Sequence, residues 1–296
     1  MATTLKEAAA TSQAPEIPAE LPVVPLRGLV VFPHMMFPLV ISSPGLMALA
    51  DEALAGNKMI GLFTVAPEIG EEESAPVRVG SRPDEDDDPE DEPEIAGEAE
   101  LDPEAELVGI GTAAVIHKML RFPDGGMRLL VQGVRRVRFV EPVQQKPFLK
   151  ARVEVVPTQR RSTRRSEALR RNAVELFQKL VDATSYLPEE LKVVGLNIED
   201  SGRLADFLGA NLNLKLPEKI LLIEDPDADR RLEAATRFMV RELDLLELGK
   251  RIQNEVQGEM EKTQREFYLR QQMKAIQREL GGDENADLKE LEERIA

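Results

Sequence analysis

The chain has 296 residues, no cysteine, 42% hydrophobic residues and a formal net charge of −16. Such a length bounds about two domains, the apolar content suffices for a core in each, and the missing cysteines exclude disulfides and cysteine-ligated metal. No run approaches the roughly eighteen apolar residues of a membrane span, and Met1 to Glu20 lacks the basic start and apolar centre of a signal peptide, so a soluble, unexported, cytoplasmic protein without a membrane partner is expected.

After a leader, residues 1–20, that is expected to be disordered, Leu21 to Ile41 carries β-branched and apolar runs punctuated by Pro22, Pro25, Pro33 and Pro38. Prolines at that density exclude a helix and allow short strands broken by bends. Ser43 and Pro44 supply an N-cap and a first-turn proline for a short helix with Leu46, Leu49, Ala53 and Leu54 on one face, ended by Gly56. Strand character returns from Lys58 to Val65 and again from Val108 to His117. Between them, Asp84 to Glu106 holds fourteen carboxylates and no basic residue, so the rest of the chain carries only −2. Self-repulsion and the lack of anything to bury predict a disordered, solvated insertion.

Ala113 to Met119 and Met127 to Val131 flank Phe122-Pro-Asp-Gly-Gly126, a hairpin turn sequence; Gly133 and Val134 mark a further turn or bulge, and Val137 to Val140 and Leu149 to Val156 read as two more strands. Six or so short strands with one helix predict a small closed or half-closed β-barrel over residues 21–157. From Ser162 the pattern becomes helical: Leu169, Ala173, Leu176, Leu180 and Val181 share one face, and Glu190 to Leu196, Leu204 to Leu212 and Lys219 to Glu224 are shorter pieces of a bundle over residues 158–226. The fold class is therefore α+β.

Asp227 to Leu280 contains no proline, and Leu232, Ala235, Met239, Leu243, Leu246, Ile252, Val256, Met260, Phe267, Met273, Ile276 and Leu280 recur at helical spacing. Fifty-four residues at about 1.5 Å each make a helix of about 80 Å, too long to be buried whole in one core, so it is expected to reach away from the upstream domains, its apolar stripe packing against a partner helix or the bundle. Gly249 and Gly258 each cost about 1 kcal/mol against alanine and are candidate flexing points, though glycines also stand where helices approach closely. Gly281-Gly282 is expected to stop this helix near residue 281, leaving residues 282–296 as a linker and the start of a new amphipathic helix.

Neither a phosphate-cradling glycine loop nor a glycine-flanked serine elbow occurs, and His34 and His117 lie in separate strand-like segments without ligand spacing, so no catalytic, cofactor or metal residue is assigned. Two features fit macromolecules. Phe32, Met35, Met36 and Phe37 form either a soft exposed patch or barrel core. Leu107 to Pro157 carries a local +6, with Arg135, Arg136 and Arg138 close together, which could attract nucleic acid but lacks interleaved stacking aromatics.

Three blocks, LPVVPLRGLVVFPHMMFPL at Leu21 to Leu39, FPDGGMRLLVQGVRRVRF at Phe122 to Phe139 and EFYLRQQMKAIQRELG at Glu266 to Gly281, resemble the amino-terminal region of bacterial Lon protease. The acidic insertion departs from that pattern. The resemblance implies a PUA-like pseudo-barrel, a helical subdomain and a long helix that precede an AAA+ ATPase ring and a serine-lysine protease domain. It thus implies a substrate-recognition and assembly module, not itself an enzyme and without a cofactor of its own. ATP and Mg belong to the complete family member, which is a homohexamer and an ATP-dependent serine endopeptidase of protein quality control. Expected partners are unfolded or damaged proteins and further copies of the chain, with weak DNA binding a lesser possibility. Leu26, Phe32, Met35, Met36 and Phe37 are the candidate substrate contacts, and Gly249 and Gly258 the candidate hinges. The alternative class is a nucleic-acid-binding barrel with a dimerising coiled-coil arm.

Overall fold

The computed structural model describes residues 16–66, 106–122, 126–160 and 163–295. The leader up to residue 15, the acidic insertion up to residue 105 and the hairpin tip at 123–125 lie outside the described residues. Contacts divide the chain into two compact units, Met1–Val240 and Arg241–Ala296.

The first unit opens with β1 (Glu20–Leu26), β2 (Met36–Ile41), α1 (Pro44–Ala55) and β3 (Met59–Thr64), followed by β4 (Ile110–Arg121), β5 (Met127–Gln144) and β6 (Lys150–Val155). The sheet order is β2-β5-β4-β3-β1-β6, and β5 also pairs with β6. The ladder therefore returns on itself through β5, which meets β2 and β4 along its first half and β6 along its second. Closure depends on that one bent strand while β2 stays outside the ring, so the result is a pseudo-barrel.

Gly133 and Val134 create the bend. Ala113 pairs with Arg135 and Ala114 with Gly133, which leaves Val134 opposite nothing. A single extra residue of this kind turns a strand without ending it. The expected turn is thus a bulge, and Val137 to Val140 belongs to the same strand as Met127 to Val131 instead of forming its own.

β1 and β3 pair in parallel, and both are buried along almost their whole length. Alternation explains this: Val24, Leu26, Ile60 and Leu62 enter one apolar cluster, whereas Leu21, Val23, Met59 and Phe63 enter another. A strand with core on both faces reads as a continuous apolar run. Pro22 and Pro25 are tolerated because β1 pairs with β6 at Glu20–Pro22 and with β3 at Val23–Leu26, so each half has one ladder neighbour. α1 seals the first cluster with Leu49, Ala50 and Ala53; the Ser43 hydroxyl caps it by accepting from the Leu46 amide at 3.3 Å, with Pro44 following. Beyond β3, the ladder to β4 continues as the Ala66 amide donates to the Glu106 carbonyl at 2.8 Å and the Val108 amide to the Thr64 carbonyl at 2.9 Å.

Helices α2 (Arg164–Ala183), α3 (Glu190–Leu196), α4 (Ser201–Asn211) and α5 (Leu216–Glu224) form the helical part. The buried face of α2 runs through Ala173, Val174, Phe177, Leu180 and Val181, with Leu169 and Leu176 only half-buried at its margin. Phe177 meets Phe207 edge-on at 5.4 Å. α4 lies so close to the barrel that a Cβ on Gly209 would come within 2.8 Å of the Phe32 ring, which makes glycine a steric requirement there.

A buried ionic cluster joins barrel to helices. Arg136 of β5 donates from Nη1 and Nη2 to the two carboxylate oxygens of Asp206 on α4 (2.9 and 2.5 Å), from Nε to the Ile223 carbonyl at 2.9 Å and from Nη2 to the Leu222 carbonyl at 3.3 Å. Arg231 stands with its Nε 3.4 Å from Asp206 Oδ1 and donates from Nη1 to the Asp225 carbonyl at 2.8 Å.

Helix α6 (Ala228–Ile295) is 68 residues long. The Asp227 carboxylate starts it by accepting from the amides of Asp229 and Arg230 at 3.0 and 3.2 Å. Leu232, Ala235 and Met239 are buried in the first unit. The helix does not stop at Gly281-Gly282 but continues to Ile295, so the expected linker and separate helix at 282–296 are absent. Two glycines cost about 2 kcal/mol together, which raises the local helix energy without forbidding the conformation, and the following Asp-Leu-Lys-Glu-Leu-Glu-Glu-Arg run favours helix.

Candidate functional site

The candidate contact residues separate by strand alternation. A turn at Pro33-His34 docks on the β5 bulge, with the His34 amide donating to the Gly133 carbonyl at 2.8 Å and the Gly133 amide to the Met35 carbonyl at 2.9 Å. Thr64 and Thr112 hold the preceding irregular stretch by donating their hydroxyls to the carbonyls of Leu29 (2.8 Å) and Val31 (2.6 Å), which lets a segment without strand partners lie buried. Leu26, Phe32, Met35 and Phe37 are consequently core, each at most 9% exposed. Between an exposed patch and barrel core, Phe32, Met35 and Phe37 take the core placement, and these side chains, with Leu26, are committed to packing. Met36 alone among the five faces water, at 51% exposure.

Met36 belongs to a broader surface that no contiguous stretch of sequence displays. In β2 the outward positions are Met36, Pro38 and Val40, which pair with Gln132, Leu130 and Arg128 of β5. Across β5, Leu130 pairs with Lys118 and Arg128 with Leu120 of β4. Leu120 is 61% exposed and Phe122 42%, with the Arg128 guanidinium 5.5 Å from the Phe122 ring centre. At the far end, His117 Nε2 and Gln132 Oε1 are 2.8 Å apart. Three strands thus present methionine, leucine, proline, valine and phenylalanine side chains to solvent, edged by Lys118 and Arg128. The signal for this face lay in strand pairing, since Met36 and Leu120 are far apart in sequence.

The basic segment separates in the same manner. Arg135 and Arg138 are exposed, whereas Arg136 turns inward to Asp206. Arg121 pairs with Asp51 at 2.6 Å, Lys150 with Glu52 at 3.2 Å and Arg152 with Glu141 at 2.5 Å. Carboxylates from outside the stretch, Asp51, Glu52 and Asp206, thus offset three of its six net positive charges, and the inward turn of Arg136 interrupts the run of arginines.

Gly249 and Gly258 lie within uninterrupted helix, and a Cβ on either would meet nothing within 4 Å. Among the described residues of this chain, no close approach calls for glycine at either position. Around them Leu245, Leu248, Ile252, Val256, Met260, Phe267, Met273 and Ile276 are all more than half exposed. Among the described residues no three His, Asp or Glu side chains gather as metal ligands, and no helix is long and apolar enough to cross a membrane.

Comparison with known proteins accounts for this arrangement. Residues 20–241 match the family model described as the ATP-dependent protease La (LON) substrate-binding domain. The Lon protease of Dictyoglomus thermophilum is 40% identical over 270 residues, covering 91% of this chain and 30% of the relative. That of Trichlorobacter lovleyi is 36% identical over 281 residues, covering 94% and 31%. The chain thus spans about a third of the length of the curated relatives it matches. Among solved structures, the N-terminal domain of Mycobacterium avium complex Lon protease superposes with a TM-score of 0.55 at 19% identity over 75% of this chain and 98% of that one, a likeness of fold. With its pseudo-barrel, helical part and long helix in that order, the chain belongs to the Lon protease family, in the region of the LON substrate-binding domain.

Proposed function

We propose that this chain is the substrate-recognition and assembly module of an ATP-dependent Lon protease. It captures unfolded or damaged polypeptide for delivery to an ATPase ring and a serine-lysine protease chamber, which use ATP and Mg and are supplied by the rest of the complete protein in the cytoplasm. The observation that carries the reading is the outer face of β2, β5 and β4, where Met36, Leu120 and Phe122 stay exposed although the core has ample apolar residues. Flexible methionine and planar phenylalanine bury foreign apolar side chains without demanding one sequence. Residues 21–157 would do the capturing, 158–226 would brace them, and the long helix from 227 would bring copies together, a homohexamer in the complete protein.

Changing Met36, Leu120 and Phe122 together to serine is expected to weaken binding of a fluorescently labelled unfolded polypeptide at least tenfold, since burying each apolar side chain contributes about 1.5–3 kcal/mol. The thermal midpoint should stay within about 2 °C, because surface substitutions are close to neutral. Undiminished anisotropy change with the triple variant would remove this face from the reading. The nucleic-acid alternative lacks a continuous cationic stripe, given the carboxylates that meet Arg121, Arg136, Lys150 and Arg152.

The hinge role of Gly249 and Gly258 is part of the same proposal. Alanine at both positions meets open space and should stiffen the helix by about 1 kcal/mol per site. We expect unchanged polypeptide affinity in this chain, higher helicity on heating followed by circular dichroism, and slower degradation by the complete protease. Equal degradation rates would exclude a swinging role.

A further inference from the structure

We propose that the cavity between the β5 bulge and the start of α4 is a binding site for a phosphate-type oxyanion. The cavity has a volume of about 820 Å³, and its lining includes five arginines, Arg135, Arg136, Arg160, Arg203 and Arg231, against two aspartates, Asp200 and Asp206. Its floor is the buried ionic cluster, with Arg136, Asp206 and Arg231 respectively 3%, 5% and 1% exposed. Arg136 takes both oxygens of Asp206 and two backbone carbonyls, so its needs are met. Arg231 is left over: its Nε and Nη2 are buried and have no hydrogen-bond partner. Arg136 and Arg231 share the Asp206 carboxylate, with the carboxylates of Asp225 and Asp200 acting on Arg231 only through space, and arginine cannot shed its charge by releasing a proton.

The surroundings add positive potential. Gly202, in the first turn of α4, leaves room for the guanidinium, since a Cβ there would stand 2.9 Å from Arg231 Nη2. The N-terminal end of α4 contributes its own partial positive charge. At the rim, Arg160 Nε lies 3.1 Å from Asp200 Oδ2, Arg203 is exposed, and His34 is exposed as a residue although its ring is partly covered. Partial burial of the His34 ring, with Arg203 beside it, holds its pKa below the ordinary histidine value against the opposing pull of Asp206 and Asp200, with Arg160 acting in the same sense as Arg203. An anion entering the cavity would neutralise the excess.

The chemistry favours phosphate over carboxylate. A planar carboxylate is satisfied by a single guanidinium fork, as Asp206 already is by Arg136. Here the guanidiniums approach from β5, the 160 segment, α4 and α6, which suits a tetrahedral group with several oxygens and at least two charges. The volume admits either free phosphate or the phosphate of a small molecule. This site is independent of polypeptide capture, although it adjoins the sheet face at His117 and Gln132.

The whole 296-residue chain serves for the test, titrated at constant ionic strength with inorganic phosphate, pyrophosphate and citrate. Phosphate or pyrophosphate is expected to raise the thermal midpoint by several degrees and to shift the Arg231 Nε–H resonance. Arg160→Gln and Arg203→Gln, both at exposed positions, should each weaken pyrophosphate binding about tenfold. Arg203→Lys should weaken it as well, because the planar fork is lost while the charge remains. Arg171→Gln, on the exposed side of α2, and the triple serine variant of the sheet face should bind pyrophosphate normally. No stabilisation by either phosphate species, or equal affinity in the Arg160 and Arg203 variants, would overturn the site. Citrate binding as tight as pyrophosphate would overturn its assignment to phosphate.

Discussion

Asp206→Ala is expected to lower the unfolding free energy by about 3–5 kcal/mol, among the largest effects of any single substitution in this chain. Among the described residues the carboxylate is the only acidic group in hydrogen-bonding contact with Arg136, and Arg231 also faces it at 3.4 Å. Its removal leaves two guanidiniums in a desolvated interior, and a stranded buried charge costs more than the intact ion pair contributes. The loss should fall on the junction of barrel and helices, because Arg136 comes from β5 and Asp206 from α4. Urea denaturation measures it, with the slope against denaturant held as the check that the same surface unfolds. By contrast Arg171→Gln, which breaks an exposed pair with Glu167, should change stability by less than about 0.5 kcal/mol. An Asp206→Ala effect as small as that one would mean that apolar packing alone joins the two parts.

Phe32→Ala is expected to cost about 3–5 kcal/mol, the range for emptying a buried aromatic site. The ring is fully buried and packs against Gly209 of α4, which has no side chain to move into the space. Met36→Ser, only four residues away, should cost less than about 0.5 kcal/mol because that side chain is half exposed. The pair separates two roles in one short segment. If Phe32→Ala left the chemical-denaturation midpoint in place while abolishing polypeptide binding, Phe32 would be a contact residue and its buried placement would be wrong.

That segment also shows how far the sequence was legible. Proline density correctly indicated short β elements, and Ser43-Pro44 correctly indicated where α1 begins, because both signals act within a few residues. The side of the sheet taken by Met35, Met36 and Phe37 depended on the register of β2 against β5 and on a turn seated on Gly133, contacts with partners about a hundred residues away. Periodicity cannot report such contacts. Arg136 illustrates the same limit: three arginines in four positions resemble a basic patch, yet the bulge at Val134 turns the middle one toward Asp206. Gly281-Gly282 differs for another reason: the pair weakens a helix locally, but within a strongly helix-favouring context it does not end α6.

The joining of β3 to β4 has a consequence for how this architecture can vary. The Ala66 amide donates to the Glu106 carbonyl beside the Val65–Leu107 bridge, so two residues forty positions apart in sequence meet at one place in the fold. In general the entropy of joining two chain ends grows slowly with the number of residues between them, by about 0.6 kcal/mol for each doubling. An insertion or deletion between two ends held this close is thus expected to leave the β3–β4 pairing in register, which makes the junction a port where a tag can be spliced in.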